Sequence, residues 1–262
     1  MIIDLKNRKA LVTGGGTGIG QYIVKSLADA GARVAFTSRK KDSLQKTLKM
    51  LKNGKEHFPC QIDLSKKGSA KKLKLKIKKN FGNIDILINN IGHTLNKKDP
   101  FCAVEDWKKV MNLNFFTSVD MVNNFIKDME KNNWGRIVNI TSVAGMEISG
   151  PSTFNASKAA LTAYTKSVGR ALALEKKNVV MTAVAPGVII TEKGHWNNKT
   201  SKSKHAKEYL KNRSALGRFG TMDELTGIIV FLASDKASFF HSSIIHADGG
   251  HSKHYMSDTY LK

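Results

Sequence analysis

A doubly wound α/β domain is the fold that this sequence predicts, on three observations. Apolar strand-like runs alternate with helical patterns along all 262 residues, no repeat or low-complexity linker interrupts them, and a glycine-rich turn follows the first run and opens the first helix. That alternation implies a parallel sheet with helices on both faces. Seven strands are expected, at 10–13, 33–37, 58–62, 84–89, 135–141, 179–185 and 243–246. The clearest helical patterns run over 152–175 and 221–234, the second opened by Thr221 and Glu224 in capping-box spacing. A single domain over 1–262 accommodates them all. Segment 192–217 breaks the rhythm: it is polar, Lys-rich and longer than an ordinary crossover loop, with a short helix expected at 204–212. A substrate lid and a surface loop both remain open for it.

Lys and Arg number 43 against 21 Asp and Glu, a net charge of +22, which invites a nucleic-acid or membrane reading. The excess is scattered, however. Its densest part, 65–81, sets Ala70, Leu73, Ile77 and Phe81 at helical spacing with lysines around the remainder, the pattern of a solvated helix face. No basic patch is interleaved with aromatics, so no nucleic-acid partner is expected. The longest apolar stretches, such as 228–233, fall short of the roughly 20 residues a bilayer span needs, and no membrane association is expected. Cys60 and Cys102 are too few for a disulfide framework and no apolar leader precedes Thr13, so a cytoplasmic setting is expected.

The turn Thr13-Gly14-Gly15-Gly16-Thr17-Gly18-Ile19-Gly20 suits a pyrophosphate: glycines admit close backbone approach, and free N–H groups at a helix start stabilise an anion. Its spacing resembles the T-G-x-x-x-G-x-G form of the short-chain dehydrogenase/reductase family, a Rossmann fold. The resemblance continues through Asp63, Asn89-Asn90-Ile91-Gly92, Pro186-Gly187 with Thr191, and His246-Ala247-Asp248-Gly249-Gly250. It implies a nicotinamide dinucleotide held by Gly14, Thr17, Gly18, Ile19, Asp63, Asn90, Gly92, Pro186, Gly187 and Thr191. At the end of the second strand an acidic residue would repel a 2′-phosphate, but Ser38 stands there, followed by Arg39, Lys40 and Lys41, so NADP(H) is the expected cofactor.

The resemblance also implies a reacting centre. Asn114 matches the asparagine that holds a water relay, Ser142 the serine that hydrogen-bonds the substrate oxygen, and Lys158 the lysine that binds the nicotinamide ribose. The fourth member, a tyrosine, is replaced by Phe154, four residues before Lys158 and 12 after Ser142. Phenylalanine fills a tyrosine's volume but cannot exchange a proton, and general acid catalysis contributes about 10²–10⁴ in rate. Three explanations stay open: a hydroxyl deleted to trap a substrate complex, a natural enzyme with another acid, and a cofactor-binding protein without catalysis.

Candidate replacements for the acid differ in reach. Tyr164 lies about 15 Å along the same helix from Phe154 and reads as packing. His93 follows the Asn-Asn-Ile-Gly turn and could exchange a proton near neutral pH, Glu147 lies between Ser142 and Phe154, and Lys158 could itself donate. In the lid, His195 and Trp196 with cationic neighbours suit a polar or anionic small molecule: a sugar, a nucleotide sugar or a carrier-bound ketone. His241, His246, His251 and His254 lack metal-site spacing, so no catalytic metal is expected. The moderately apolar tail after Asp248 lies, in this family, in subunit contacts, which implies a homotetramer or homodimer. The sequence thus predicts an NADP(H)-dependent oxidoreductase acting on a carbonyl or alcohol, with a catalytically silent nucleotide-binding scaffold as the alternative.

Overall fold

The computed structural model describes residues 2–192, 197 and 200–252; His195, Trp196 and the tail from 253 lie outside them. Seven parallel strands form one sheet: β1 (Lys9–Val12), β2 (Arg33–Ser38), β3 (Phe58–Gln61), β4 (Ile86–Asn89), β5 (Gly135–Ile140), β6 (Val179–Pro186) and β7 (Ile244–Ala247). Their order is β3-β2-β1-β4-β5-β6-β7. The chain therefore winds outward from β1 to β3, returns to place β4 beside β1, and winds outward again. Where the winding reverses, the crossovers leave in opposite directions and a crevice opens at the carboxyl ends of β1 and β4.

Alternation along the strands divides the core. Ala10, Val12, Ile86 and Ile88 face a layer containing Ile23, Val24 and Leu27 of α1 (Gly18–Asp29) and Leu225, Ile229 and Leu232 of α8 (Met222–Leu232). Their neighbours Leu11 and Leu87 face Leu73 and Ile77 of α3 (Ser69–Asn80) and Met121 and Phe125 of α5 (Thr117–Lys131). Both faces are buried, which is why these strands read as continuous apolar runs rather than alternating ones.

The remaining helices are α2 (Lys41–Lys49), α4 (Val104–Met111), α6 (Ser152–Leu174) and α7 (Lys204–Arg213). The expected helix over 65–81 begins only at Ser69. Asp63 Oδ1 takes both the backbone N–H and the hydroxyl of Ser65, and Gly68 is left-handed at φ +76, so 65–68 forms a turn. The helix expected to reach 234 stops at Leu232 because the Ser234 hydroxyl accepts from Lys236 N and caps a short 3-10 turn instead. Between α4 and α5, Asn112–Phe116 is one wide π-helical turn, a feature that the sequence did not signal. In the described part of 192–217, α7 is tied to the turn after β5: Arg213 Nη1 donates to Ile148 O at 2.9 Å, and Tyr209 Oη lies 3.4 Å from Ser149 Oγ. Among the described residues no helix is long and apolar enough to cross a membrane.

The capping box read from the sequence is formed. The Thr221 hydroxyl accepts from Glu224 N, and Glu224 accepts from Thr221 N at 2.9 Å. Thr221→Ala should cost about 1 kcal/mol and lower Tm by about 2–4 °C in a chain of this length. Thr221→Ser should retain the wild-type transition, and calorimetry of the two variants checks this.

Candidate active site

The crevice at the winding reversal is a cleft of about 510 Å³. It is lined by Gly14, Thr17, Gly18, Ile19, Ser38, Arg39, Asp63, Asn90, Gly92, Pro186, Gly187 and Thr191 of the expected cofactor residues, and by Ser142, Phe154, Lys158 and His93 of the expected reacting end. Asn114 is fully buried behind its wall. Glu147 lies in the turn after Gly145, outside the residues lining the cleft. His195 and Trp196 lie outside the described residues.

One end of the cleft is built to receive an anion. Thr17 precedes α1 in extended conformation, its side chain makes no cap bond, and no acidic residue stands in the first turn, so the leading N–H groups lack a side-chain partner. The turn is held in shape by β4's loop: Asn90 Nδ2 donates to Thr13 O (2.9 Å) and Gly14 O (3.3 Å), and Thr13 Oγ1 accepts from Asn90 N at 2.9 Å. A Cβ at Gly20 would sit 2.3 Å from Gly14 O, so this approach requires glycine. Asn90 thus spends its amide donors on bracing the turn.

Further along, the Ser65 hydroxyl and amide hold the Asp63 carboxyl below the usual range. Both bonds end on Oδ1, which leaves Oδ2 for a ligand donor. Arg39 is exposed and forms no ion pair among the described residues.

At the other end, α6 sets Phe154 and Lys158 one turn apart, with Nζ 5.7 Å from the ring centroid. Lys158 is buried and donates to Ile140 O at 2.7 Å. Burial pushes its ammonium down to about 8. An ammonium carries three donors, and this single protein bond leaves two for a ligand. Ser142 Oγ accepts from Ala144 N at 3.1 Å, leaving its hydroxyl hydrogen to donate into the cleft. Gly145 lets this turn pack on α6, since a Cβ there would lie 2.9 Å from Lys158 C and O. Asn114 stands in the π-helical turn: its Oδ1 accepts from His93 N (2.8 Å), and its Nδ2 donates to Ser157 Oγ (2.9 Å), which donates to Phe154 O (2.8 Å). Ser157 was missed in the sequence; its place three residues after Phe154 permits that bond but does not announce it. Tyr164 packs edge-on against Phe115 at 5.9 Å, and burial raises its phenol to about 12, consistent with the packing role expected for it.

A nicotinamide dinucleotide fits these residues. Besides the uncapped helix start and the Lys158 donors, Thr191 Oγ1 is buried with no hydrogen-bond partner among the described residues, in the cleft wall with Pro186 and Gly187, where a ligand amide could satisfy it. Among the described residues no group of three His, Cys, Asp or Glu side chains is placed to hold a metal ion.

A doubly wound parallel sheet, a glycine turn braced at the winding reversal and a Ser–Lys pair on adjoining elements define a short-chain dehydrogenase/reductase. The chain belongs to that oxidoreductase family: residues 14–252 match the family model described as Enoyl-(Acyl carrier protein) reductase. It is 34% identical over 253 residues to the 3-oxoacyl-[acyl-carrier-protein] reductase FabG of Aquifex aeolicus, covering 95% of this chain and 99% of that protein. A 3-oxoacyl-(acyl-carrier-protein) reductase from Agrobacterium tumefaciens C58, solved with NADP bound, is similar at TM-score 0.84 and 28% identity, covering 95% of this chain and 96% of that one. A 7α-hydroxysteroid dehydrogenase solved with NADH matches at TM-score 0.85 and 26% identity, over 97% of this chain and 98% of that one.

The depressed lysine has a measurable consequence. The unfolded chain's lysine titrates at about 10.4, so between about pH 8 and that value the unfolded state holds a proton that the folded state has released. Stability from this group therefore rises with pH across the window, by up to about 1.4 kcal/mol per pH unit. Urea denaturation at about pH 7.5 and 9.5 should show this rise in the natural chain and lose it in Lys158→Met.

Proposed function

We propose that the protein is an NADP(H)-dependent carbonyl reductase, or alcohol dehydrogenase in reverse, acting on a small polar substrate such as a 3-oxoacyl group, a sugar or a nucleotide sugar. The single observation that carries this reading is the joint lining of one cleft by the glycine turn, Arg39, Ser142 and Lys158. When bound, the reduced nicotinamide supplies the hydride. The chain's own residues bind and orient. The α1 start and glycine turn hold the pyrophosphate, Asp63 the adenine, Lys158 the ribose hydroxyls and Thr191 the carboxamide, while the Ser142 hydroxyl hydrogen-bonds the substrate oxygen.

Arg39 favours a 2′-phosphate because it is exposed, lines the cleft and forms no direct ion pair among the described residues, although its charge is felt by Asp63. A charge-assisted hydrogen bond of this kind contributes about 1.5–3 kcal/mol, so Arg39→Ala should weaken NADPH binding about 10–100-fold and leave NADH binding nearly unchanged. Fluorescence titration with each cofactor checks this.

Segment 192–217 is proposed as the lid, supported by the seating of α7 on residues 148–149 beside the cleft. A homo-oligomer, tetramer or dimer, is supported by the exposed Phe101, Val104 and Phe116 along the α4–α5 stretch.

Phe154 impairs or alters the proton step. It also favours the second reading, a nucleotide-binding protein without turnover. Restoring the hydroxyl separates the two. Phe154→Tyr should raise NADPH oxidation with acetoacetyl-coenzyme A or a ketose by about 10²–10⁴. A panel of such ketones that stays inert with both forms would instead establish the silent scaffold.

A further inference from the structure

His93 is held at the cleft from both ends of the residue. Its backbone N–H donates to Asn114 Oδ1 at 2.8 Å, and Asn114 is linked through Ser157 to the Phe154 carbonyl. The preceding residue lies over the lysine, since a Cβ at Gly92 would be 2.8 Å from Lys158 Nζ. The ring is fixed separately: Leu95 N donates to His93 Nδ1 at 2.8 Å. A backbone N–H can only donate, so Nδ1 is the unprotonated acceptor and the neutral ring carries its hydrogen on Nε2. The turn that delivers this bond places Leu95 at φ +50 and Asn96 at φ +59. Leucine rarely adopts the left-handed region, and strained turns of this kind persist where the surrounding structure demands them.

His93 shares the cleft with Ser142 and Phe154 and is itself exposed. Phe154 offers no donor, and the two Lys158 donors left by its bond to Ile140 O are those assigned above to the ribose hydroxyls. Taking the reductase reading above as its basis, we propose that His93 Nε2–H gives the substrate carbonyl oxygen the hydrogen bond that a phenol at position 154 would otherwise supply. Ser142 Oγ–H is the second donor. A reduced nicotinamide held by these residues would supply the hydride, whose electron pair would form the new C–H bond as the C=O π pair moves onto oxygen, so that the carbonyl would be reduced at the cofactor's expense. His93 and Ser142 stabilise the alkoxide, and solvent water at the open mouth supplies the proton that completes the alcohol. The imidazole is unchanged at the end, because a neutral ring can polarise a carbonyl without itself changing charge. The proposed role thus differs from the proton exchange expected from the sequence: the Leu95 N–H occupies the Nδ1 lone pair, and the ring acts through its Nε2–H.

The test uses the natural chain, His93→Ala, His93→Gln, Phe154→Tyr and the Phe154→Tyr/His93→Ala double variant, with NADPH and acetoacetyl-coenzyme A. NADPH fluorescence titration establishes that each variant folds and binds. Loss of one such donor costs about 10²–10³ in turnover. His93→Ala should lose that much in the natural background but only a few-fold once Phe154→Tyr has restored the phenol, and His93→Gln, which keeps an N–H, should recover part of the loss. Independently of turnover, ¹⁵N shifts of the His93 ring in the free protein should show Nδ1 unprotonated and Nε2 protonated. Unchanged turnover in His93→Ala, an inert natural chain beside an active Phe154→Tyr, or the opposite tautomer would each overturn the inference and leave the reductase reading intact. Absence of turnover in every variant, the Tyr forms included, overturns both.

Discussion

The brace between Thr13 and Asn90 is the contact on which the rest of the cleft depends. Two residues at the carboxyl ends of neighbouring strands each bond the other's main chain through a side chain, Asn90 Nδ2 donating to Thr13 O and Gly14 O and Thr13 Oγ1 accepting from Asn90 N. They join the glycine turn to the turn after β4 at the one place where the sheet's winding reverses. The first turn sets the uncapped start of α1, and the second leads directly through Gly92 to His93 and the lysine. Both turns line the same cleft, so on the proposed reading the distance between them decides whether the two ends of a dinucleotide can be held. Glycine is needed here because two main chains approach closer than a side chain would permit: a Cβ at Gly20 would lie 2.3 Å from Gly14 O.

Lys158 shows how burial and hydrogen bonding divide the work at the reacting end. Desolvation disfavours the charged ammonium, yet a carbonyl oxygen at 2.7 Å holds it in place. The result is a donor whose remaining hydrogens are unspent and whose proton is loosely held. In a site with a phenol such a lysine would assist that phenol's proton loss. Beside Phe154 there is no phenol for it to assist, and on the proposed reading its part is to bind the cofactor ribose. On the proposed reading, stabilising charge on the substrate oxygen falls to Ser142 and the ring of His93, both of which are oriented by bonds from backbone N–H groups. Asn114 connects these parts, since one amide reaches the His93 backbone on one side and the Phe154 backbone through Ser157 on the other.

The strong positive charge has little to do with this centre. The only interior arginine among the fully buried side chains described is Arg136, at the far end of β5, where it donates to Ser234 O, Gly135 O and Asn178 O and lies 4.5 Å from the Trp134 ring centroid. Burial lowers its guanidinium to about 10. Arg8 covers Trp134 more closely, at 3.6 Å, and Trp134 Nε1 donates to Asp235, so this cluster fastens the chain's start to the turn after α8. The lysines of α3 remain around its solvent side, as a solvated face requires, with Lys74 paired to Asp128 of α5.

The sequence by itself determined the fold class, the capping box at Thr221 and many of the residues that line the cleft, though not the place of Glu147 outside it or of Asn114 behind its wall, with strand positions right to within two residues. These are local properties: apolar periodicity reports burial on one or both faces, a glycine turn reports close backbone approach, and spacing along a helix places Phe154 over Lys158. Tertiary structure alone decided the rest. The π-helical turn around Asn114, the start of α3 at Ser69, the Ser157 link, the burial of Arg136 and the tautomer of His93 each depend on partners distant in the chain or on hydrogen-bond geometry. No composition or period encodes them, because a hydrogen bond's direction is set only once both groups have been brought to within about 3 Å of each other.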